Sequence, residues 1–330
     1  MARDFRRSWV FGVVLAMGSV VGSVVPALAM LPRANSAPNI AKAAEDPPIP
    51  VEKVDSAPPI VKKVRSSLVV GKSRSPALVV TKARVAAPKK PAASPLGYDV
   101  SYPQCSSSLP KAPSFGIVGV NGGRVYAANP CLASEYAWAQ TSTTTSYPKA
   151  SFYANTGNPG PVLSKAWPAG QSLPRVCDGT WSEGCSYDYG WNAAADSFAR
   201  ARAVAGVDGA RAAYWWLDVE TGNSWATASD LPNWAALNTT DLQGAAAYFA
   251  GQGVAQLGFY STGFQWGQIT GLNASTSPAY FSTSYVNWVP GAASFSSAQA
   301  RCSSAYSFTG ARVQLTQYIA NNFDVDYRCY

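Results

Sequence analysis

The chain has 330 residues, contains no histidine and carries a formal net charge of +8. The missing histidine excludes Ser-His-Asp and Cys-His nucleophilic catalysis, histidine-assisted phosphoryl transfer and histidine-ligated zinc. Proton transfer must therefore fall to carboxylates, tyrosine or lysine.

Residues 1–29 have the pattern of an export signal. Arg3, Arg6 and Arg7 precede an apolar run from Trp9 to Val25, and Ala27-Leu28-Ala29 supplies a small-x-small cleavage site. The alternative is an uncleaved membrane anchor, because the run is long for a signal core and short for a full span. We expect a secreted protein that is extracellular or associated with a cell wall.

Residues 30–96 are rich in Pro, Ala, Val, Lys and Ser and contain no aromatic residue, which predicts a disordered linker. They hold 12 Lys/Arg against 4 Asp/Glu, whereas residues 97–330 hold 11 against 13, so the basic excess lies outside the folded part. A basic, flexible tail favours attraction to an anionic wall polymer or an acidic membrane surface. The alternative is a solubilising spacer.

Residues 97–330 form the predicted globular domain and have the length of one closed α/β barrel. We predict an α/β fold, a (β/α)8 TIM-like barrel that need not be regular. The strand-like runs are Gly97–Ser101, Phe115–Asn121, Ala150–Asn155, Ala212–Glu220, Ala255–Ser261, Ala279–Ser282, Val286–Val289 and Val313–Tyr318.

Helical patterns lie between several of these runs. They cover Pro130–Thr141, Asp188–Ala205 and a run that Thr240-Asp241 caps and that continues to Ala250. Alternation of strands and helices argues for a parallel sheet. The length favours closure into a barrel over an open doubly wound sheet, for which no phosphate-binding fingerprint is present.

The central motif is the strand-like stretch Ala212–Gly222, which runs into Asp218 and Glu220. Side chains alternate along a strand, so Trp216, Asp218 and Glu220 share one face. Turn-forming residues follow from Gly222, which places both acids at a strand-to-loop junction, the usual position of catalytic groups in parallel α/β folds. An isolated Asp-x-Glu is more often a solvated loop acid beside a capping acid. The rest of the chain therefore decides whether this pair is catalytic.

All six cysteines lie in the globular part, which fits an oxidising compartment. We predict three disulfides: Cys177–Cys185 across a short loop, Cys302–Cys329 near the C-terminus and, by elimination, Cys105–Cys131. Three acids near the first of these loops, Asp178, Glu183 and Asp188, are expected to be surface charges.

Further acids lie at the ends of the first and last strands of the predicted barrel. Gly97-Tyr98-Asp99-Val100-Ser101 places Asp99 at the end of the first strand, and Phe323-Asp324-Val325-Asp326-Tyr327 places Asp326 at the end of the last. The first and last strands are neighbours in a closed barrel, so these two acids should meet. Together with Leu217-Asp218-Val219-Glu220 and Gln317-Tyr318, these motifs resemble in order and spacing the family 25 glycoside hydrolases, the lysozyme-like muramidases.

The resemblance covers residues 97–330 and implies a (β/α)8-like barrel that cleaves the glycan strand of peptidoglycan after N-acetylmuramic acid. It implies that Glu220 is the general acid, Asp218 its partner carboxylate, and Asp99 and Asp326 the flanking acids. Asp218 would either stabilise an oxocarbenium-like state or position the 2-acetamido group as an internal nucleophile. A crowded carboxylate cluster agrees with these roles, because one member should keep its proton near neutral pH.

Residues near the predicted strand ends are candidates for sugar binding. Aromatic faces pack on the C–H side of a pyranose, and amides bond hydroxyl or acetamido groups. The candidates are Tyr153, Asn155, Trp225, Tyr260, Trp266, Gln317 and Tyr318. For any one aromatic residue, burial in the core is the competing explanation.

The chain departs from the muramidase pattern, since Val120-Asn121-Gly122-Gly123 ends the second strand without the family's usual Lys-Ala-Thr-Glu run. Three functions therefore stay open: a hydrolase of peptidoglycan or a related wall glycan, a catalytically inactive glycan-binding module, and a carboxylate-lined calcium or magnesium site. We favour the first, in a monomer without cofactor, metal or nucleic-acid partner.

Overall fold

The computed structural model describes residues 95–330. The predicted export signal at 1–29 and nearly all of the predicted linker at 30–96 lie outside the described residues, and the domain boundaries remain predictions. Within the described part, no helix has the length and apolar character needed to cross a membrane.

Eight strands form a closed barrel in chain order, which confirms the predicted α/β barrel. Neighbouring strands from β1 to β7 pair in parallel, whereas β8 is antiparallel to both β7 and β1. The strands are β1 Leu96–Val100, β2 Gly116–Gly119, β3 Ala150–Asn155, β4 Tyr214–Asp218, β5 Gln256–Tyr260, β6 Val286–Ala292, β7 Val313–Ala320 and β8 Phe323–Arg328.

The turn between the last two strands explains the antiparallel β8. Asn321 and Asn322 are the only residues between β7 and β8, and both have positive φ, 52° and 64°. Two consecutive residues with positive φ form the type I′ turn of a hairpin, in which asparagine is favoured. A two-residue connection cannot make a parallel crossover, so the barrel departs here from a regular (β/α)8 repeat.

One predicted strand was wrong. Ala279–Ser282 forms no strand, and a short 3₁₀ turn at Ser277–Ala279 takes its place. Phe281 packs on Trp266 with ring centroids 5.4 Å apart, so this short apolar run anchors a loop on the core and does not pair with the sheet.

Six helices accompany the barrel: α1 Leu132–Ala139, α2 Gly160–Leu163, α3 Glu183–Ala212, α4 Trp234–Gln252, α5 Gly263–Thr270 and α6 Phe295–Ala300. The backbone of α3 breaks at Gly206, where φ is 73°, close to the predicted helix end at Ala205. The predicted cap of α4 was wrong, because the helix begins after Asn233 and buries Thr240 and Asp241 in its middle.

The two long helices pack closely because glycines lie at their crossing. A Cβ on Gly190 of α3 would collide with the backbone oxygen of Asp241, and one on Gly244 of α4 would collide with the backbone oxygen of Tyr187. Glycine at both positions therefore lets the two backbones approach within contact distance.

The barrel wall separates two apolar cores. Outward-facing Trp215 packs with Phe198 and Phe249 of the long helices, and outward-facing Phe259 packs with Trp266 of α5. Inward-facing residues fill the barrel interior: Phe115, Ile117, Tyr147, Trp216, Val286, Trp288 and Leu315. Adjacent residues Trp215 and Trp216 thus face opposite sides of the same strand, as strand alternation predicts.

Candidate active site

A cavity of about 170 Å³ opens where the parallel strands end. Its walls come from seven of the eight strands or the loops directly after them, and it is hereafter called the mouth. Four acids, one amide and three aromatic residues line it: Asp99, Asp218, Glu220, Asp324, Gln317, Tyr153, Tyr260 and Trp288.

The central acid pair lies at the end of β4. Asp218 is 6% exposed, and its Oδ2 accepts a hydrogen bond of 2.6 Å from Asn155 Nδ2 on the neighbouring β3. Glu220 follows two residues later, is partly exposed and faces the same cavity. Its backbone oxygen accepts a bond of 2.9 Å from Trp225 Nε1, which holds the loop after β4.

The two carboxyls of this pair retain protons more strongly than ordinary acids. Burial raises the pKa of Asp218 well above its usual value, and the charges of Glu220 and Asp99 add to the shift. Burial also raises the pKa of Glu220, while hydrogen bonds from Gln265 and Asp218 oppose the shift. Oδ1 of Asp218 is buried without a donor among the described residues, so a proton shared with Glu220 would give it a partner.

A second group of acids lies across the mouth on β1 and β8. The register places Asp99 opposite Asp324. Asp99 Oδ2 accepts a bond of 2.8 Å from Gln317 Nε2, and Gln317 Oε1 accepts one of 3.0 Å from Tyr260 Oη. Burial first, and then the charge of Asp324, raises the pKa of Asp99 well above its usual value.

The predicted position of Asp326 needs correction. This residue lies within β8 and not at the end of a strand, and its register partner on β1 is Gly97. Its side chain is fully buried below the mouth, and neither carboxyl oxygen has a hydrogen-bond donor in the described part of the chain. It still meets Asp99, because burial, followed by the charge of Asp99, raises its pKa well above normal.

Asp324 reaches the mouth instead, and the sequence-based site omitted it. The signal was present, since the Asn321-Asn322 turn starts a strand on which Asp324 and Asp326 share one face. On such a strand the residue nearer the turn lies nearer the mouth.

Cations do not neutralise these acids within residues 95–330. The only ion pair in this range joins Arg200 Nε and Asp196 Oδ2 at 2.6 Å on α3, and no lysine or arginine lines the mouth. The raised pKa values therefore follow from burial and mutual repulsion, which both favour the protonated form.

Two of the predicted aromatic residues line the mouth, and a third was missed. Tyr153 and Tyr260 lie in its wall as predicted, and Trp288 packs between them with centroid distances of 6.3 Å and 4.6 Å. Gly119 makes room for Tyr153, because a Cβ there would lie 2.6 Å from the tyrosine ring. Val286–Val289 was predicted as a strand, so its inward alternation could have identified Trp288.

Of the remaining sugar-binding candidates, only Gln317 lines the mouth. Trp225 lines a separate depression with Trp234, although its side chain holds the Glu220 loop. Trp266 is fully buried and donates to Ser277 Oγ, and Tyr318 packs against Phe295 outside the barrel. Asn155 supports Asp218 from below, whereas Gln317 reaches the cavity.

The three predicted disulfides are confirmed. Cys105–Cys131, Cys177–Cys185 and Cys302–Cys329 join Cα atoms 5.6, 4.6 and 5.4 Å apart, and no free cysteine is found among the described residues. Asp178 and Glu183 are exposed as expected.

Asp188 is not the surface charge that was predicted. It is fully buried on α3, where its oxygens accept bonds from Gln171 Nε2 at 2.6 Å and from the backbone nitrogen of Arg175 at 2.9 Å. It therefore anchors the loop before α3, a role that spacing along the chain could not reveal.

No protein-family model and no curated protein matches this chain. Three similar solved structures are a muramidase from Trichobolus zukalii (17% identity, 71% of this chain and 92% of the other, TM-score 0.43), a muramidase from Acremonium alcalophilum (15%, 71% and 92%, 0.42) and the bacterial lysozyme from Streptomyces coelicolor (12%, 72% and 93%, 0.39). Matches at this identity and TM-score do not assign a function to this chain. Its function has to be inferred from the residues in the mouth.

Proposed function

We propose that this chain is a lysozyme-like glycoside hydrolase that cleaves bacterial peptidoglycan or a related wall glycan. The observation that carries the proposal is the Asp218–Glu220 pair, two proton-retaining carboxyls facing a cavity lined by aromatic rings and amides. Glycoside hydrolysis uses two carboxyl groups, one of which must stay protonated to act as the acid. A chain without histidine has few other groups for proton transfer.

Exposure distinguishes the roles of the two acids. Glu220 is the more exposed member and can reach a glycosidic oxygen in the mouth, so we assign it the transfer of a proton to the leaving sugar. Asp218 is buried beside Glu220 and held by Asn155 through Oδ2, so as a carboxylate it would stabilise the oxocarbenium-like state or orient a 2-acetamido group.

The opposite side of the mouth is suited to holding the sugar ring. Tyr153, Tyr260 and Trp288 offer aromatic faces and edges, and the Tyr260–Gln317–Asp99 hydrogen-bond chain offers groups for sugar hydroxyls. Asp326 lies below this chain, beside Asp99 and opposite Gln317 in the β7–β8 register, so we assign it a positioning role.

The predictions for the N-terminal residues complete this proposal. Residues 1–29 would direct export, and the basic residues 30–96 would retain a monomeric enzyme on an anionic wall polymer or membrane surface. Deletion of 30–96 should leave turnover of a soluble glycan unchanged but reduce retention on intact walls, most strongly at low salt. Retention that does not respond to salt would remove the electrostatic explanation.

A second candidate is a glycan-binding module without turnover. It is favoured by the deep burial of Asp218 and by the raised pKa of that carboxyl, because a buried carboxyl that keeps its own proton is a poor ionised partner for the acid. Such a module would bind wall glycan without releasing fragments.

Incubation with purified wall, followed by mass analysis of soluble fragments, tests both candidates. We expect wild-type protein to release fragments with new reducing ends, and Glu220→Gln to lower the rate by about 10²–10⁴-fold. Asp208→Asn removes an exposed carboxyl of α3 outside the mouth and should retain full activity. Full activity of Glu220→Gln would contradict the assignment, and binding without cleavage by both proteins would favour the binding module.

A further inference from the structure

A second and larger cavity, of about 520 Å³, lies beside the mouth and is called the side groove here. Three loops form it, each following one of the neighbouring strands β2, β3 and β4. They contribute residues 123–126, 156–166 and 222–224, and Tyr189 of α3 completes the lining.

The side groove is continuous with the loop that carries the catalytic acid pair. Thr156 lines the groove and donates through Oγ1 to the backbone oxygen of Asp218 at 2.5 Å. Gly222, Asn223 and Ser224 line it too and follow Glu220 directly. A substituent on a sugar in the mouth could therefore extend into this groove.

Glycine makes the floor of the groove possible. The backbone oxygen of Ser224 accepts a bond of 2.8 Å from the backbone nitrogen of Asn158. A Cβ on Gly157 would lie 2.9 Å from the same Ser224 oxygen, so a side chain here would push the β4 loop away.

The walls of the groove are fixed before any ligand binds. Arg200 donates through Nη2 to the backbone oxygen of Tyr126 at 3.1 Å and is itself held by Asp196. The Tyr126 and Tyr189 rings pack with centroids 5.6 Å apart, and Tyr189 Oη bonds Ser164 Oγ at 3.3 Å. A preorganised site of this kind loses little conformational entropy on binding.

The charge of the side groove is opposite to that of the mouth. Arg124 and Lys165 line it, both are exposed, and neither forms an ion pair with any residue in the range 95–330. No acidic residue lines the groove. Leu163, 76% exposed, adds an apolar patch to the same lining.

We propose that the side groove binds a short, carboxylate-bearing peptide substituent of the glycan whose sugar occupies the mouth. This inference rests on the proposed function and adds to it a preference for glycan that carries its peptides. Arg124 and Lys165 would pair with peptide carboxylates, and Leu163 would contact apolar side chains. The acid-lined mouth would repel the same carboxylates, so the opposite charges set the orientation of the substrate.

The test compares wall glycan that carries peptides with the same glycan after an amidase has removed them. We measure kcat/KM for the peptide-bearing glycan divided by kcat/KM for the peptide-free glycan. We expect the double variant Arg124→Gln/Lys165→Gln to lower this ratio about tenfold relative to wild type. The control Lys111→Gln/Lys149→Gln removes the same charge from exposed lysines just before β2 and β3, away from the groove, and should leave the ratio unchanged. An unchanged ratio in the groove variant, or an equal fall in the control, would overturn the proposal.

Binding measurements separate failure of the groove from failure of the proposed function. If wild type cleaves neither glycan, the hydrolase proposal fails, and calorimetry with a peptide-bearing disaccharide and its peptide-free form then decides the groove. Weaker binding of only the peptide-bearing form by the groove variant would support the inference. Equal binding of both forms by wild type would overturn it. So would a groove variant that loses binding only to polyglycerol phosphate, a probe for an anionic wall polymer.

Discussion

The two ends of the barrel interior differ in what fills them. Below the mouth, aromatic and aliphatic side chains such as Trp216, Ile117 and Leu315 are fully buried and pack against one another. At the mouth, five carboxyls gather with no basic side chain in the lining: Asp99, Asp218, Glu220, Asp324 and, just below, Asp326. The lower end therefore stabilises the fold, and the upper end holds groups whose crowding opposes it.

This difference indicates why the acids can be held so close together. Unpaired buried charge is costly, and a barrel tolerates it only where a packed layer fixes the strands on which the acids lie. Trp288 joins the two layers, because it packs on Trp216 below, with centroids 5.5 Å apart, and lines the mouth above.

The largest expected effect on stability comes from emptying the lower layer. Trp216→Ala removes a fully buried ring whose site Gly258 keeps open, since a Cβ on that glycine would collide with the indole. We expect a loss of about 3–5 kcal/mol in the free energy of unfolding, measured by urea denaturation. Phe264→Ala, at a position 74% exposed, is the matched control and should change stability little. Equal losses in both variants would contradict the packing difference.

Removing an acid from the mouth should lower activity strongly and leave stability unchanged or higher. Asp218→Asn keeps the shape of the side chain and a possible bond with Asn155, but removes the charge beside Glu220. We expect wall-glycan turnover to fall by about 10²–10³-fold while the unfolding midpoint stays equal or rises. A strongly destabilised variant would show that Asp218 is structural.

The pH dependence of activity should reflect the shared proton. Burial raises the pKa of Asp218 and of Glu220, so the pair keeps its last proton above the pH at which ordinary carboxyls have ionised. The proposed acid is lost when that proton leaves. We expect kcat/KM to fall as pH rises through the raised pKa of the pair. A rate–pH profile that stays flat from about pH 5 to about pH 8 would contradict this assignment.

The smallest expected effect is the contribution of Asp326 to the pH dependence of stability. Burial raises its pKa in the folded protein, so the folded state keeps this proton at pH values where the unfolded chain, with a pKa of about 4, has released it. The carboxyl therefore lowers stability progressively as pH rises from about 4 through the folded pKa. Asp326→Asn retains a donor to Asp99 and should remove this decline.

Urea midpoints at an acidic and a neutral pH measure the Asp326 effect. The variant should match wild type at about pH 3, where both states bind the proton, and exceed it at about pH 7. A variant that loses stability mainly at neutral pH would show that Asp326 is ionised in the folded protein. Asp208→Asn, which removes an exposed carboxyl of α3, controls for general charge effects.

Local patterns predicted much of the fold. Apolar runs with strand alternation located β1 to β7. Position along the chain identified two of the disulfides, and elimination gave the third. Asp99 and Asp218 lie at the ends of their strands and Glu220 lies just after one, so their meeting at the mouth needed only the closure of a parallel sheet.

Other features depend on contacts between distant residues. Asp188 and Asp241 lie in helical sequence that looks solvated, yet packing of α3 against its preceding loop and against α4 buries both. Trp266 was predicted near a strand end and Trp288 within a strand, but Trp266 is buried in α5 and only Trp288 faces the mouth.

The sequence by itself determined which residue types carry the chemistry, because a chain without histidine leaves the work to carboxyls, and strand periodicity sets which of them share a face. Tertiary structure decided how deep each acid lies and whether it keeps its proton. The Asn321-Asn322 turn reverses β8, which brings Asp324 to the mouth and buries Asp326 beneath it. Depth sets desolvation, and desolvation depends on the whole packed barrel and not on neighbours in sequence.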